Sequence, residues 1–108
     1  MVYERVVSVS GDHPSLAGHF PGYPIVPGVV LLSEVLDTLR QGLKMPLFVT
    51  GLPSVKFSAP LKPGEVVTIR VEDETATHAT FSCQVEARLI ASGSIAFRLG
   101  TTLQVERA

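Results

Sequence analysis

Gly18-His19-Phe20-Pro21-Gly22-Tyr23-Pro24-Ile25-Val26-Pro27-Gly28-Val29-Val30 is the stretch on which the reading of this chain turns. Pro21, Pro24 and Pro27 each fix φ and remove a backbone donor. Gly18, Gly22 and Gly28 admit turns and close approach of the backbone. Directly afterwards Val29, Leu32, Val35, Leu36, Leu39 and Leu43 recur at helical spacing, and Gly42 and Pro46 mark an end, so a helix is predicted over Gly28–Leu43. A constrained loop thus carries one imidazole, His19, into the start of a helix. Imidazole takes and gives protons near neutral pH. The first amides of a helix have no acceptor within it, and the helix dipole favours negative charge there. Such donors can polarise a carbonyl oxygen.

Working outward, the rest of the chain reads as strand. Residues 3–10 are rich in valine and predict a first strand. Residues 11–27 form a loop dense in Gly and Pro, longer than most connections and therefore a candidate for function. Further strands are predicted over 47–61, 65–74, 77–89 and 90–105. Val67, Ile69 and Val71 alternate with Thr68, Arg70 and Glu72, and Phe81, Cys83, Val85 and Ala87 continue the pattern. Lys62-Pro63-Gly64 is the strongest turn signal, with Asp73-Glu74-Thr75-Ala76 and Ala91-Ser92-Gly93 as further turns or irregularities. One helix followed by long antiparallel strands predicts an α+β fold with the helix on one face of the sheet.

The chain has 108 residues, which predicts a single domain over 1–108. A core this small gains from oligomerisation. Apolar residues make up 45% and charged residues 18%. That charge share lies below the usual quarter or so and implies surface covered by a partner subunit. A net charge of −1 gives no electrostatic case for nucleic acid. No apolar run has the length of a membrane span, and Met1-Val2-Tyr3-Glu4-Arg5 lacks the form of a signal peptide. The expected location is the cytoplasm, with no membrane partner. Cys83 is the one cysteine, and the three histidines lack Cys or carboxylate companions at ligand spacing, so no disulfide or metal site is expected. His13 reads as a turn residue, His78 as exposed and Cys83 as inert core.

The His19-Phe20-Pro21-Gly22 to Pro27-Gly28-Val29 pattern resembles the beta-hydroxyacyl-acyl carrier protein dehydratases of the hotdog fold. The likeness continues in Val55-Lys56-Phe57-Ser58-Ala59-Pro60-Leu61-Lys62-Pro63-Gly64-Glu65 and covers about residues 12–99. Asp12-His13-Pro14-Ser15-Leu16-Ala17 looks more like the short, stand-alone dehydratase-like proteins of bacterial secondary lipid pathways, of which aryl polyene synthesis is an example. The resemblance implies a curved antiparallel sheet wrapped around one central helix. It also implies elimination of water from a 3-hydroxyacyl thioester, on acyl carrier protein or coenzyme A, to give a trans-2-enoyl thioester. His19 would be the base that removes the α-proton and returns a proton to the leaving hydroxyl. The Gly28 amide would hold the thioester carbonyl, with Val29 as a second donor. Phe20, Pro21, Gly22 and Phe57 would contact the substrate; the apolar side chains of Phe20, Tyr23, Ile25, Val26 and Phe57 read either as the lining of an acyl tunnel or as core packing. Two sites at the interface of a homodimer or higher oligomer, and no cofactor, complete what the family implies.

One position departs from the family. The dehydratases carry Glu or Asp fourteen positions after the motif His, and that position here is Ser33. Glu34 follows, pointing about 100° away, and Asp37 lies one turn on, near the Ser33 face. Three alternatives stand open. Asp37 or Glu34 replaces the acid; His19 serves both steps while Ser33 orients the hydroxyl; or elimination is lost and thioester binding remains. The bland reading of Glu34, Asp37 and Arg40 is a solvated helix face with an Asp37–Arg40 pair. Lys44, Lys56, Lys62, Arg70, Arg88 and Arg98 read either as contacts for an acidic carrier protein or a phosphopantetheine phosphate, or as ordinary strand-face charge. The rival functions are an acyl thioesterase and a non-catalytic acyl-thioester binding subunit.

Overall fold

A computed structural model of the chain describes residues 1–10 and 25–100. Its elements run β1 (Val2–Ser8), α1 (Gly28–Leu43), β2 (Leu47–Phe57), β3 (Val66–Asp73), β4 (His78–Val85) and β5 (Arg88–Leu99). All neighbouring strands are antiparallel, in the order β1-β3-β4-β5-β2. The α+β class read from the sequence is the class observed, and α1 occupies the predicted span.

The helix forms where Pro27, extended at φ −60° and ψ 143°, hands over to Gly28. It ends where Lys44 adopts the left-handed conformation at φ 57° and donates its amide to the Arg40 carbonyl at 2.9 Å. That geometry closes a helix end whose last carbonyls lack intrahelical partners. Leu31, Val35, Thr38 and Leu39 are its buried residues, one stripe at helical spacing. The stripe meets Val67, Ile69 and Val71 of β3, Phe81 and Cys83 of β4, and Ile95 and Phe97 of β5 in one core. Each fully buried side chain of this kind contributes about 1.5–3 kcal/mol.

The structure moves one turn. Ala91-Ser92-Gly93 is no turn but part of β5, beside a register shift where Cys83 pairs with Ala91 and Gln84 with Leu89. The chain reverses instead at Glu86-Ala87 between β4 and β5, inside the predicted strand 77–89. Glu86 accepts φ 53° there, so a tight hairpin forms without the Asn-Gly or Asp-Gly signal that would reveal it. Gly93 is a glycine for another reason. A Cβ on it would run into the Ser54 carbonyl of β2 and the Phe81 ring. The Lys62-Pro63-Gly64 turn is as expected, with the Glu65 amide returning to the Lys62 carbonyl at 3.2 Å and Gly64 at φ 86°.

Strand β2 is an edge. It pairs with β5 alone among the described strands, through two register shifts around Gly51. Phe48, Val49 and Leu52 on it, and Met45 just before it, are exposed.

Candidate active site

The start of α1 opens on an apolar pocket. Val26 is fixed beneath it by its amide, which donates to the Leu61 carbonyl at 2.8 Å. The segment after β2 is held across the pocket by the Ser58 amide on the Ile90 carbonyl, also at 2.8 Å. Ile25, Val26, Leu31, Phe57, Leu61 and Ile90 line a space of about 400 Å³ that reaches Gly28. The Phe57 ring lies against Gly28 so closely that a Cβ there would stand 2.6 Å from Cζ. This contact supplies a packing reason for glycine at the helix entry.

The amides of Val30 and Leu31 turn back to the Pro27 carbonyl at 3.0 and 3.4 Å. Those of Gly28 and Val29 donate to no backbone acceptor among the described residues. They are the donors that a helix start leaves over. Val29 itself is 73% exposed and its side chain takes no part in the pocket wall. Of the proposed substrate-contacting residues, the structure therefore joins Gly28 and Phe57. His19, Phe20, Pro21 and Gly22 lie outside the described residues, as does His13.

The three helix positions weighed for the acid have different surroundings. Ser33 is exposed. Glu34 is turned toward β1, where Arg5 Nη2 donates to its Oε1 at 2.5 Å and to its own carbonyl at 2.9 Å. Asp37 pairs with Arg40 at 3.3 Å, the exposed i,i+3 pair of the bland reading. None of the three lines the pocket. Sequence reading missed Arg5 and Thr38. Arg5 donates from Nε to Thr38 Oγ1 at 3.2 Å, and Thr38 Oγ1 donates to the Glu34 carbonyl at 2.8 Å. The available signal was a lone arginine on the inward alternation of a valine-rich strand.

Several remaining charges are strand-face pairs. Arg70 meets Glu4 at 3.5 Å and Arg88 meets Glu65 at 2.5 Å, while Arg98 lies over the Phe48 ring. The amide of Lys62 and the Arg88 guanidinium hold the Glu65 carboxyl below its ordinary range, the amide hydrogen bond being the larger cause. His78 is exposed and bonds Thr77 Oγ1 at 2.9 Å. Cys83 is fully buried, and burial pushes its thiol up to about 12. Among the described residues no three His, Cys, Asp or Glu side chains come together as a metal site would require. None of the described helices is long and apolar enough to cross a membrane.

Residues 3–94 match the family of ApeI-like dehydratases, described by ApeI dehydratase. The chain belongs to this family. Its curated relatives include the 3-hydroxyacyl-acyl-carrier-protein dehydratase FabZ of Chlamydia trachomatis, 35% identical over 107 residues, with 85% of this chain and 69% of the relative covered. The dehydratase heterocomplex ApeI:P from Xenorhabdus doucetiae superposes with a TM-score of 0.78 at 24% identity, over 89% of this chain and 88% of that one. The fluoroacetyl-CoA thioesterase FlK superposes with a TM-score of 0.74 at 14% identity, over 93% of this chain and 86% of that one. The ApeI-like fold is thus the hotdog fold expected from the motif, and that fold also carries thioesterases. Fold alone does not choose between the two chemistries.

Proposed function

We propose that this ApeI-like protein is a 3-hydroxyacyl thioester hydro-lyase that forms trans-2-enoyl thioesters in fatty acid or related lipid and polyene synthesis. The observation that carries the reading is the apolar pocket ending at the Gly28 amide, in a chain of a dehydratase family. The acyl chain lies along Phe57, Ile90 and Leu61, and its thioester carbonyl meets the amides of Gly28 and Val29. Charge that develops on this oxygen as the α-proton leaves is stabilised by those fixed donors. His19 takes the α-proton, and Phe20, Pro21 and Gly22 are substrate-binding residues in this reading. The thioester acidifies that proton, so no cofactor enters the scheme.

Departure of hydroxyl needs a proton. The Glu34 carboxylate is bound to Arg5 and that of Asp37 to Arg40, which supports His19 as donor in the second half of the reaction while Ser33 orients the hydroxyl. Acyl carrier protein is the proposed carrier, as named for the FabZ relative. The exposed edge of β2 supports a homodimer or higher homo-oligomer of single hotdog domains, 1–108, acting in the cytoplasm.

The test is hydration of a crotonyl or longer enoyl thioester, presented on carrier protein and on coenzyme A. Turnover to the 3-hydroxyacyl product is expected, with His19→Gln lower by on the order of 10²–10⁴-fold. Release of free thiol without hydration would establish the thioesterase instead. Tight thioester binding without either product would establish the binding subunit.

A further inference from the structure

Arg5 stands where an apolar side chain would be expected. Tyr3, Arg5 and Val7 share the inward face of β1, and Tyr3 and Val7 pack against the core. Arg5 is paired across the sheet with Ile69, whose side chain is fully buried. Bringing a guanidinium into such a position costs desolvation unless its donors are met. Three donor hydrogen bonds, from Nε and Nη2, are made to one turn of α1. Nη2 donates to the carboxylate and the carbonyl of Glu34, and Nε donates to Thr38 Oγ1. Thr38 is 3% exposed, the single buried polar residue among those described, and its hydroxyl returns to the same Glu34 carbonyl. Two side-chain donors therefore converge on one helix carbonyl, from one residue of the helix and one of the neighbouring strand.

We propose that Arg5 is a positioning residue that fixes the height and rotation of α1 at Glu34, and so sets Ser33 and the Gly28 amide for the reaction. The inference rests on the dehydratase reading of that site. Apolar contacts allow a helix to slide or roll by fractions of a residue, whereas a fork of directed hydrogen bonds has one geometry. Ser33 adjoins the clamped residue, and Gly28 lies six residues before it, about 9 Å along the axis. A small roll at Glu34 is carried rigidly to both. Misplacement of catalytic groups by about 1 Å can lower turnover by about 10²-fold.

The experiment compares wild type, Arg5→Met, Arg5→Lys, Thr38→Val and Thr38→Ser in enoyl-thioester hydration, with amide hydrogen exchange on the same samples. Arg5→Met is expected to lower kcat by about 10- to 100-fold while KM stays within about twofold. Thr38→Ser, which keeps the hydroxyl, should restore most of what Thr38→Val loses. Arg5→Lys, which keeps charge without the fork, should recover only part and serves if Arg5→Met fails to fold. Exchange should quicken across Val30–Ser33, whose amides are hydrogen-bonded, while β3 to β5 stay protected. Loss of thermal stability with unchanged kcat would overturn the proposal by reducing Arg5 to a structural anchor. If the wild type hydrates no enoyl thioester, the functional reading fails separately; faster exchange at Val30–Ser33 then still supports the clamp, and unchanged exchange overturns it.

Discussion

Replacing Gly28 by alanine tests the packing at the mouth of the pocket. Gly28 has an ordinary helical backbone, so the substitution costs no strain in φ, and the stiffer unfolded chain gains about 0.4–1 kcal/mol. Against this, the new methyl carbon would lie 2.6, 3.0 and 3.2 Å from Cζ, Cε1 and Cε2 of Phe57. Ordinary contact begins near 3.4 Å, so the ring must withdraw by about 0.8 Å. Phe57 is 51% exposed and ends an edge strand, so it can yield. Overpacking should therefore fall at the low end of about 1–3 kcal/mol. The variant is expected to fold, with a net loss of about 0–1 kcal/mol. Phe57→Ala alone removes a half-buried ring and destabilises by its own amount. In the double variant the steric conflict is gone, so it should exceed the additive value by about 1 kcal/mol. Urea unfolding followed by circular dichroism at one fixed protein concentration measures all four proteins. Additivity within about 0.3–0.5 kcal/mol would refute a ring seated on Gly28.

Ser33→Asp places a carboxylate at the position where the family keeps its acid, and enoyl-thioester hydration should rise by about tenfold or more. Asp37→Asn should leave activity within about threefold, because Asp37 is engaged with Arg40; collapse of activity would identify Asp37 as the acid. Cys83 makes stability fall at alkaline pH. Its thiol is raised from 9.0 to about 12 by burial, so between those values the unfolded chain loses a proton that the folded chain keeps. The full contribution is present below about pH 9 and erodes above it, by about 1.4 kcal/mol at pH 10. Urea unfolding of wild type and Cys83→Ala at pH 8 and pH 10 should show the wild type losing that much more, and parallel losses would contradict it.

The helix was legible because its apolar spacing agrees with its entry through Pro27 and with Pro46 beyond its end, although the residue that closes it is Lys44 and Gly42 lies within its last turn. β3 was legible for the same reason, with Val67, Ile69 and Val71 alternating against polar neighbours. The β4–β5 hairpin was hidden because Glu86 takes a left-handed conformation that its residue type does not advertise. Gly93 misled because close approach to Ser54 looks, in sequence, the same as a turn. At the site, the motif pointed to Gly28 and Phe57, and the structure brings them into contact. The fate of Glu34 was not legible. Its partner Arg5 is twenty-nine positions away, and only the crossing of β1 beneath α1 unites them.

The strand order has a consequence for how the chain reaches this state. β3, β4 and β5 follow one another through short connections, so their pairing closes small loops at little entropic cost. β1 and β2 come earlier in the chain yet occupy the two outer edges. Val2 waits for Glu72 and Leu47 for Leu99. A ribosome therefore releases β1, α1 and β2 before any surface exists to receive them. The meander made last is the template on which the first half of the protein is laid down, and long-range pairing of this kind slows folding. Until β5 has emerged, the apolar residues of β2 have no strand to join, and this interval is when a nascent chain most needs protection.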